Sequence, residues 1–225
     1  MGDAPDPPRM LVLPDGLKVA VAEYGDPRGT PVLALHGAPD SRLIYAIADA
    51  QARARGLRLM CPDRPGYGLS ASDGQPSLDR RAAVLHLLVD ELALERIAIL
   101  GVSGGSPYAV ALAARLGQRC TGLAIVSPIG PLADVIASRE AVIAEGFRRF
   151  FIELQGWPRM LGLLSRSAAA AFRLSPGLWM RSASLGLPKL DKMIVARPEV
   201  RRLLVASMRE AIRQGVQGGL DDLAI

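Results

Sequence analysis

The 225-residue chain contains two histidines and two cysteines, and no histidine lies between His86 and the last residue, Ile225. Two cysteines, Cys61 and Cys120, are too few for a disulfide framework, and their spacing makes no metal-binding cluster. Each sits on an apolar run or at its lead-in and reads as a buried free thiol. Aromatic residues make up only 4% of the chain and do not interleave with the basic ones, which excludes nucleic acid as a partner. No apolar stretch reaches the roughly eighteen residues needed to span a bilayer, so no integral membrane segment is expected. Met1-Gly2-Asp3-Ala4-Pro5-Asp6 lacks the basic and apolar regions of a secretion signal, and Asp6 stands where a myristoylation motif wants serine or threonine. The expected address is cytoplasmic.

What the chain does have is apolar sequence in short, regularly placed runs. Half of its residues are hydrophobic in a mass of 23.9 kDa, enough to bury a sizeable core. After a proline-rich start, Met10–Leu13 and Leu17–Ala22 flank Pro14-Asp15-Gly16, a turn signal that predicts a hairpin. Strands and helices then alternate. Thr30–Leu35, Leu57–Cys61, Ile97–Leu100 and Gly122–Val126 read as buried strands. Ser41–Gly56 and Ser77–Leu94 read as helices, the second with Ser77 as N-cap, although Arg80 spoils a full capping box. Beyond Pro128 the alternation stops, and the sequence reads as helices broken at Trp157-Pro158, Ser175-Pro176-Gly177, Leu187-Pro188 and Arg197-Pro198. The net charge of +5 is concentrated in this second part, between Arg139 and Arg213. Because arginine outnumbers lysine throughout the chain, the excess reads as solvated helix faces rather than as a surface that attracts anionic ligands.

One junction carries chemistry. The strand Ile97–Leu100 runs into Gly101-Val102-Ser103-Gly104-Gly105, and the alanine- and leucine-rich stretch from Pro107 to Leu116 predicts a helix with Gly117 at its C-cap. Ser103 therefore lies on a strand-to-helix turn of G-x-S-x-G pattern. Such a turn holds the serine at strained backbone angles and brings strand and helix so close that positions 101 and 105 have no room for side chains. The N-terminal amides of the following helix are placed to meet a developing oxyanion.

Two loops supply the context. His36-Gly37-Ala38-Pro39-Asp40 follows the Thr30–Leu35 strand, and Asp63-Arg64-Pro65-Gly66-Tyr67-Gly68-Leu69-Ser70 follows Leu57–Cys61. Taken in this order, from about Leu11 to Pro128, the two loops and the elbow resemble the α/β-hydrolase superfamily. The resemblance implies an α/β-hydrolase fold with a mostly parallel sheet and a helical cap. Residues 1–128 would form the N-terminal part of the core, and 129–225 the cap region and the start of its return to the core. It also implies Ser103 as catalytic nucleophile, the N–H groups of Ala38 and Gly104 as the oxyanion hole, and a small ester, amide or related carbonyl compound as substrate. No cofactor or metal is implied, since such a mechanism needs neither. Dehalogenases and epoxide hydrolases of the superfamily carry an aspartate at the elbow, so Ser103 speaks against both. His36 matches a structural histidine of the oxyanion loop; Asp63 and Arg64 match a structural loop in which Tyr67 packs.

The same resemblance marks what is missing. Its order along the chain is nucleophile, acid, histidine, yet no histidine follows Ser103. His86 falls mid-helix and reads as a helix-face residue remote from Ser103, with Asp90 and Glu91 a solvent-facing pair beyond it. Asp134 follows the last strand, where some members place their acid, but reads as a solvated residue of the helical part. The expectation is a chain truncated before the acid and histidine strands, its C-terminal core strands missing and Gly122–Val126 an edge open to self-association. Two functions follow: a serine hydrolase working through an acyl-enzyme on Ser103, or a catalytically impaired truncated or pseudo-hydrolase that acts as a binding or interaction protein.

Overall fold

A computed structural model describes residues 7–74, 76–128 and 157–224. Strands β1 (Arg9–Val12) and β2 (Lys18–Gly25) pair as the expected hairpin. In its turn Gly16 adopts φ 84°, and the Asp15 carboxylate accepts the N–H of Leu17, the local bond that makes aspartate a turn former. Strands β3 (Thr30–Leu35), β4 (Leu57–Pro62), β5 (Ile97–Val102) and β6 (Cys120–Val126) are mutually parallel. The sheet order is β1-β2-β4-β3-β5-β6, with β2 antiparallel to β4. An α/β architecture with a mostly parallel sheet is thus what the sequence pattern encodes.

Pleating divides the core in two. Along β3, Leu33 and Leu35 face α2 (Leu78–Glu91) and α3 (Ser106–Leu116), where they join Ile97, Ile99, Leu88 and Leu112. Ala34 points to the other face with Leu59, Cys61, Tyr45 and Ala52, the last on α1 (Asp49–Ala54). Ser77 caps α2 by accepting the N–H of Arg80. The predicted Ser41–Gly56 helix is only partly α-helical: Arg42–Ala48 winds as a 3₁₀ segment before α1. Both ends of that stretch are tied to neighbouring strands and loops. Asp63 takes the backbone N–H and the guanidinium of Arg42, and Asp49 takes the N–H of Gly25.

Five helices follow in the second part: α4 (Pro158–Leu174), α5 (Pro176–Ala183), α6 (Lys189–Val195), α7 (Pro198–Ala211) and α8 (Gln217–Leu223). Proline opens α4, α5 and α7 and precedes α6, so the predicted breaks at Ser175-Pro176-Gly177, Leu187-Pro188 and Arg197-Pro198 fall between helices, while what precedes Trp157-Pro158 lies outside the described residues. Ala169 and Phe172 of α4 pack with Ile212 and Met208 into a third apolar cluster, and Phe172 meets Trp179 edge to face at 5.5 Å. Helix α7 lies against the Arg42–Ala48 segment. Residues 129–156, where the helical part was expected to begin and where Asp134 lies, are outside the described residues, as is Met1–Asp6. None of the described helices is long and apolar enough to cross a membrane.

β6 is the edge of the sheet among the described residues, as expected, and its Leu123 and Val126 are exposed. This corrects the reading of Cys120. Only Cys61, on central β4, is fully buried, whereas Cys120 on the edge strand is half-buried.

The close approach inferred for the elbow glycines is present. A methyl group at Gly101 would lie 2.6 Å from Cβ of Ala109 and 2.9 Å from Cα of Ser106, and one at Gly105 would collide with the carbonyl oxygen of Leu35. At Gly122, on the edge strand, a methyl meets nothing within 4 Å. Gly101→Ala should therefore destabilise the chain by about 1–3 kcal/mol, while Gly122→Ala stays within about 0.5 kcal/mol of the parent. Urea unfolding of the two variants checks this.

Candidate active site

All the chemistry-bearing loops leave the carboxyl ends of parallel strands, the end of an open α/β sheet where ligands bind. β5 ends at Val102, and Ser103 follows with φ 49°, a left-handed conformation that a side-chain-bearing residue adopts only at a cost. A single 3₁₀ turn, Ser103–Gly105, then leads into α3. A methyl at Gly37 would lie 3.2 Å from Cβ and 3.7 Å from Oγ of Ser103. One at Gly104 would lie 3.4 Å from Cβ and 3.5 Å from the backbone nitrogen of Ala38. Ser103 and Gly104 of the elbow and Ala38 of the loop after β3, two stretches far apart in sequence, are therefore neighbours at one place.

His36 and Arg64 organise the loop that carries Ala38. The buried His36 ring accepts the backbone N–H of Arg64 at Nε2 (3.0 Å), so its proton is on Nδ1, which donates to the carbonyl of Gly37 (2.7 Å). Arg64 adds Nε to the His36 carbonyl (3.0 Å) and Nη2 to the Gly37 carbonyl (3.1 Å). Burial, and after it the Arg64 charge, push the His36 pKa down to about 3, so the ring is neutral.

The remaining Arg64 nitrogen, Nη1, is bound at 2.7 Å by Asp222 of α8. The Asp222 carboxylate also accepts the hydroxyls of Tyr67 and Tyr108, each at 2.6 Å. Burial opposes its charge, but Arg64 and the two hydroxyls outweigh that cost and hold its pKa below the ordinary carboxylate value. Sequence reasoning missed Asp222. The one signal was an adjacent pair of acids, Asp221-Asp222, in an otherwise apolar tail just after Gly218-Gly219. Asp221 takes Arg81 at 3.0 Å, and a side chain at Gly218 would clash with Gly66 and Tyr67, so the glycine lets α8 seat directly on the Asp63–Ser70 loop.

Ser103, Ala38, Gly104 and Asp222 all line a cavity of about 1480 Å³ between the sheet and helices α4, α7 and α8. Its other walls are apolar, with Leu161, Phe172, Trp179, Met208, Ile212 and Leu220 among them. Asp222, neutralised by Arg64, is the one charged residue among the described ones lining it.

Neither histidine is placed to act on Ser103. Both ring nitrogens of His36 are engaged. On α2, His86 Nε2 lies 3.6 Å from Asp90 and 3.4 Å from Arg119. Asp90 and Glu91 are both exposed, as expected, and Asp90 also pairs with Arg119 Nη2 at 2.8 Å. Among the described residues no group of three or more His, Cys, Asp or Glu side chains is arranged to hold a metal ion.

This arrangement, a left-handed serine on a strand–helix elbow beside a histidine-anchored glycine loop, defines a class of α/β enzyme scaffold. A family model described as alpha/beta hydrolase fold matches residues 30–188, and the chain belongs to that family. Haloalkane dehalogenase 2 of Mycobacterium tuberculosis is 29% identical over 190 residues, covering 78% of this chain and 64% of that protein. An uncharacterised hydrolase of Bacillus subtilis is 26% identical over 102 residues, covering 45% of this chain and 36% of its own length. The chain thus spans from about a third to just under two thirds of these curated relatives. Among solved structures, an epoxide hydrolase from Vigna radiata superposes with a TM-score of 0.67 at 19% identity, covering 96% of this chain and 70% of that one, a likeness of fold.

The His36 shift has a consequence for stability. Its folded pKa is depressed, so its contribution is complete above the unfolded value near 6.5 and is lost as pH falls toward about 3. Asp40 works in the opposite direction: burial raises its pKa to about 6, so its contribution is lost as pH rises from 3.8 through about 6. In an Asp40→Asn background, unfolding free energy should fall between pH 6 and pH 5 by roughly 1 kcal/mol, and a further His36→Gln change should remove that slope. Urea titrations at closely spaced pH values test both.

Proposed function

We propose that this protein is a serine hydrolase whose Ser103 attacks the carbonyl carbon of an uncharged, largely apolar ester or related acyl compound. The observation that carries this reading is the left-handed Ser103 at the wall of an apolar cavity, with the Ala38 and Gly104 backbones beside it. Attack by Oγ produces a tetrahedral intermediate whose oxyanion the N–H groups of Ala38 and Gly104 receive. Collapse expels the alcohol or amine, which leaves carrying the proton given up by the Ser103 hydroxyl, and the resulting ester on Ser103 is then cleaved by water to the acid and free serine.

The nucleophile decides which bond is broken. Displacement on an alkyl halide or an epoxide by a serine oxygen gives an ether, which water does not cleave, whereas an acyl-serine ester is hydrolysed. The names of the dehalogenase and epoxide-hydrolase relatives are therefore not carried over to this chain. Helices α4, α7 and α8 act as the cap. Since the described lining offers no free charge, a charged substrate would be desolvated without compensation.

One observation favours a second reading, a protein that binds an apolar ligand without turning it over: both histidines are committed elsewhere. A serine hydroxyl with no adjacent base is a weak nucleophile, and removing the base from serine proteases costs orders of magnitude in rate. A long-chain alkyl fluorophosphonate separates the two. Under the hydrolase reading it labels one serine per chain over hours, labels nothing in Ser103→Ala, and reacts at least about tenfold faster than an analogue ending in a carboxylate. A folded chain that stays unlabelled, yet melts at a higher temperature with a neutral fatty acyl methyl ester, would establish the binding reading instead.

A further inference from the structure

We infer that Asp222 is a positioning residue for the oxyanion hole, acting through Arg64; this inference rests on the hydrolase reading above. The Arg64 guanidinium is planar and divides its donors between two sides. Nη1 faces Asp222 at 2.7 Å, while Nε and Nη2 face the carbonyls of His36 (3.0 Å) and Gly37 (3.1 Å). Its faces are covered as well, with the ring centroids of Tyr67 and Tyr108 at 4.7 and 4.9 Å from Cζ. The same two tyrosines donate their hydroxyls to Asp222. Carboxylate, guanidinium and rings therefore form one closed unit, and the in-plane position of the cation is set by the carboxylate that anchors it.

That position fixes a peptide plane. In a trans peptide the C=O of Gly37 and the N–H of Ala38 point in opposite directions. The Gly37 carbonyl is pinned by His36 Nδ1 on one side and by Arg64 Nη2 on the other, which turns the Ala38 N–H away from the His36–Arg64 pair. On that side lie Gly104 and Ser103. Without the negative charge of Asp222, Arg64 is a buried cation that has lost its anionic partner, and nothing then fixes the guanidinium in the position from which Nη2 holds the Gly37 carbonyl. Helix α8, remote in sequence, thus sets the direction of an N–H on the loop after β3.

Asp221 supplies an internal control. It lies on the same helix and makes a similarly buried ion pair, but with Arg81, which also pairs with Asp73 (3.2 Å), donates to the Pro65 carbonyl and is not among the groups holding the His36–Ala38 loop. Asp222→Asn and Asp221→Asn should each weaken the seating of α8, yet only the first acts, through Arg64, on the oxyanion loop. Two readouts test this. With the alkyl fluorophosphonate, Asp222→Asn should lower the labelling rate at saturation by about 10- to 100-fold, the effect expected for a misplaced oxyanion donor. The half-saturating concentration should stay within about twofold, and Asp221→Asn should label at close to the parent rate. Equal losses in both variants, or none in Asp222→Asn when the parent labels well, would overturn the inference and leave the hydrolase reading standing. Should the parent fail to label, that reading fails alone, and amide hydrogen exchange of residues 36–40 decides the positioning role. Exchange several-fold faster in Asp222→Asn than in both parent and Asp221→Asn upholds it; equal exchange in all three removes it.

Discussion

A buried cation is the constraint around which this molecule's working end is arranged. Arg64 is almost wholly removed from solvent, and a guanidinium in that position persists only when acceptors surround it. The carbonyls of His36 and Gly37 and the carboxylate of Asp222 meet that demand. Arg42 repeats the arrangement, shared between Asp63 and Glu210 of α7. Arg81 does so a third time with Asp221. Each of these three arginines joins the α/β part of the chain to an acid in the last sixteen residues. The seam between the two parts is therefore held by charge and hydrogen bonding, while the apolar clusters lie within each part.

That division explains what could be read from the sequence. Strands, the hairpin turn, the Ser77 cap and the crowding at Gly101 and Gly105 arise from interactions within a few residues or from simple periodicity, so local pattern reveals them. Ser103, Gly104 and Ala38 could be named because the motifs that carry them follow recognisable strands and resemble those of the α/β-hydrolase superfamily. The Arg64–Asp222 pair spans 158 positions and belongs to no periodic pattern, so nothing local announces it. The partial 3₁₀ winding of Arg42–Ala48 is equally hidden from local pattern, since the segment is held at its start by Asp63, a residue on another strand's exit loop. Cys120 was misjudged because its apolar surroundings in the sequence suggested burial, although the strand it opens was already expected at the edge, where one flank lies uncovered.

Charge also separates cleanly by location. The second part of the chain is rich in arginine, yet none of the described residues lining the cavity is an arginine or lysine. The described cations of that part, from Arg159 to Arg213, are exposed apart from the half-buried Arg201, so the overall basic character says little about what the cavity accommodates. Tyr67, Tyr108 and Ser106 supply polarity there without net charge. Such a lining discriminates by shape and by a few hydrogen bonds.

The backbone of Ser103 gives the molecule a history as well as a geometry. At φ 49° glycine would be free of the steric cost that serine carries, a difference on the order of 1 kcal/mol. With glycines already at positions 101, 104 and 105, the surrounding turn is one in which glycine is well accommodated. A lineage indifferent to the hydroxyl would gain stability by exchanging it, through changes at one codon. A serine at this position therefore works as a clock. Its retention among close relatives would measure how long selection has preferred the oxygen to the easier fold, and its replacement by glycine would date the point at which that preference ended.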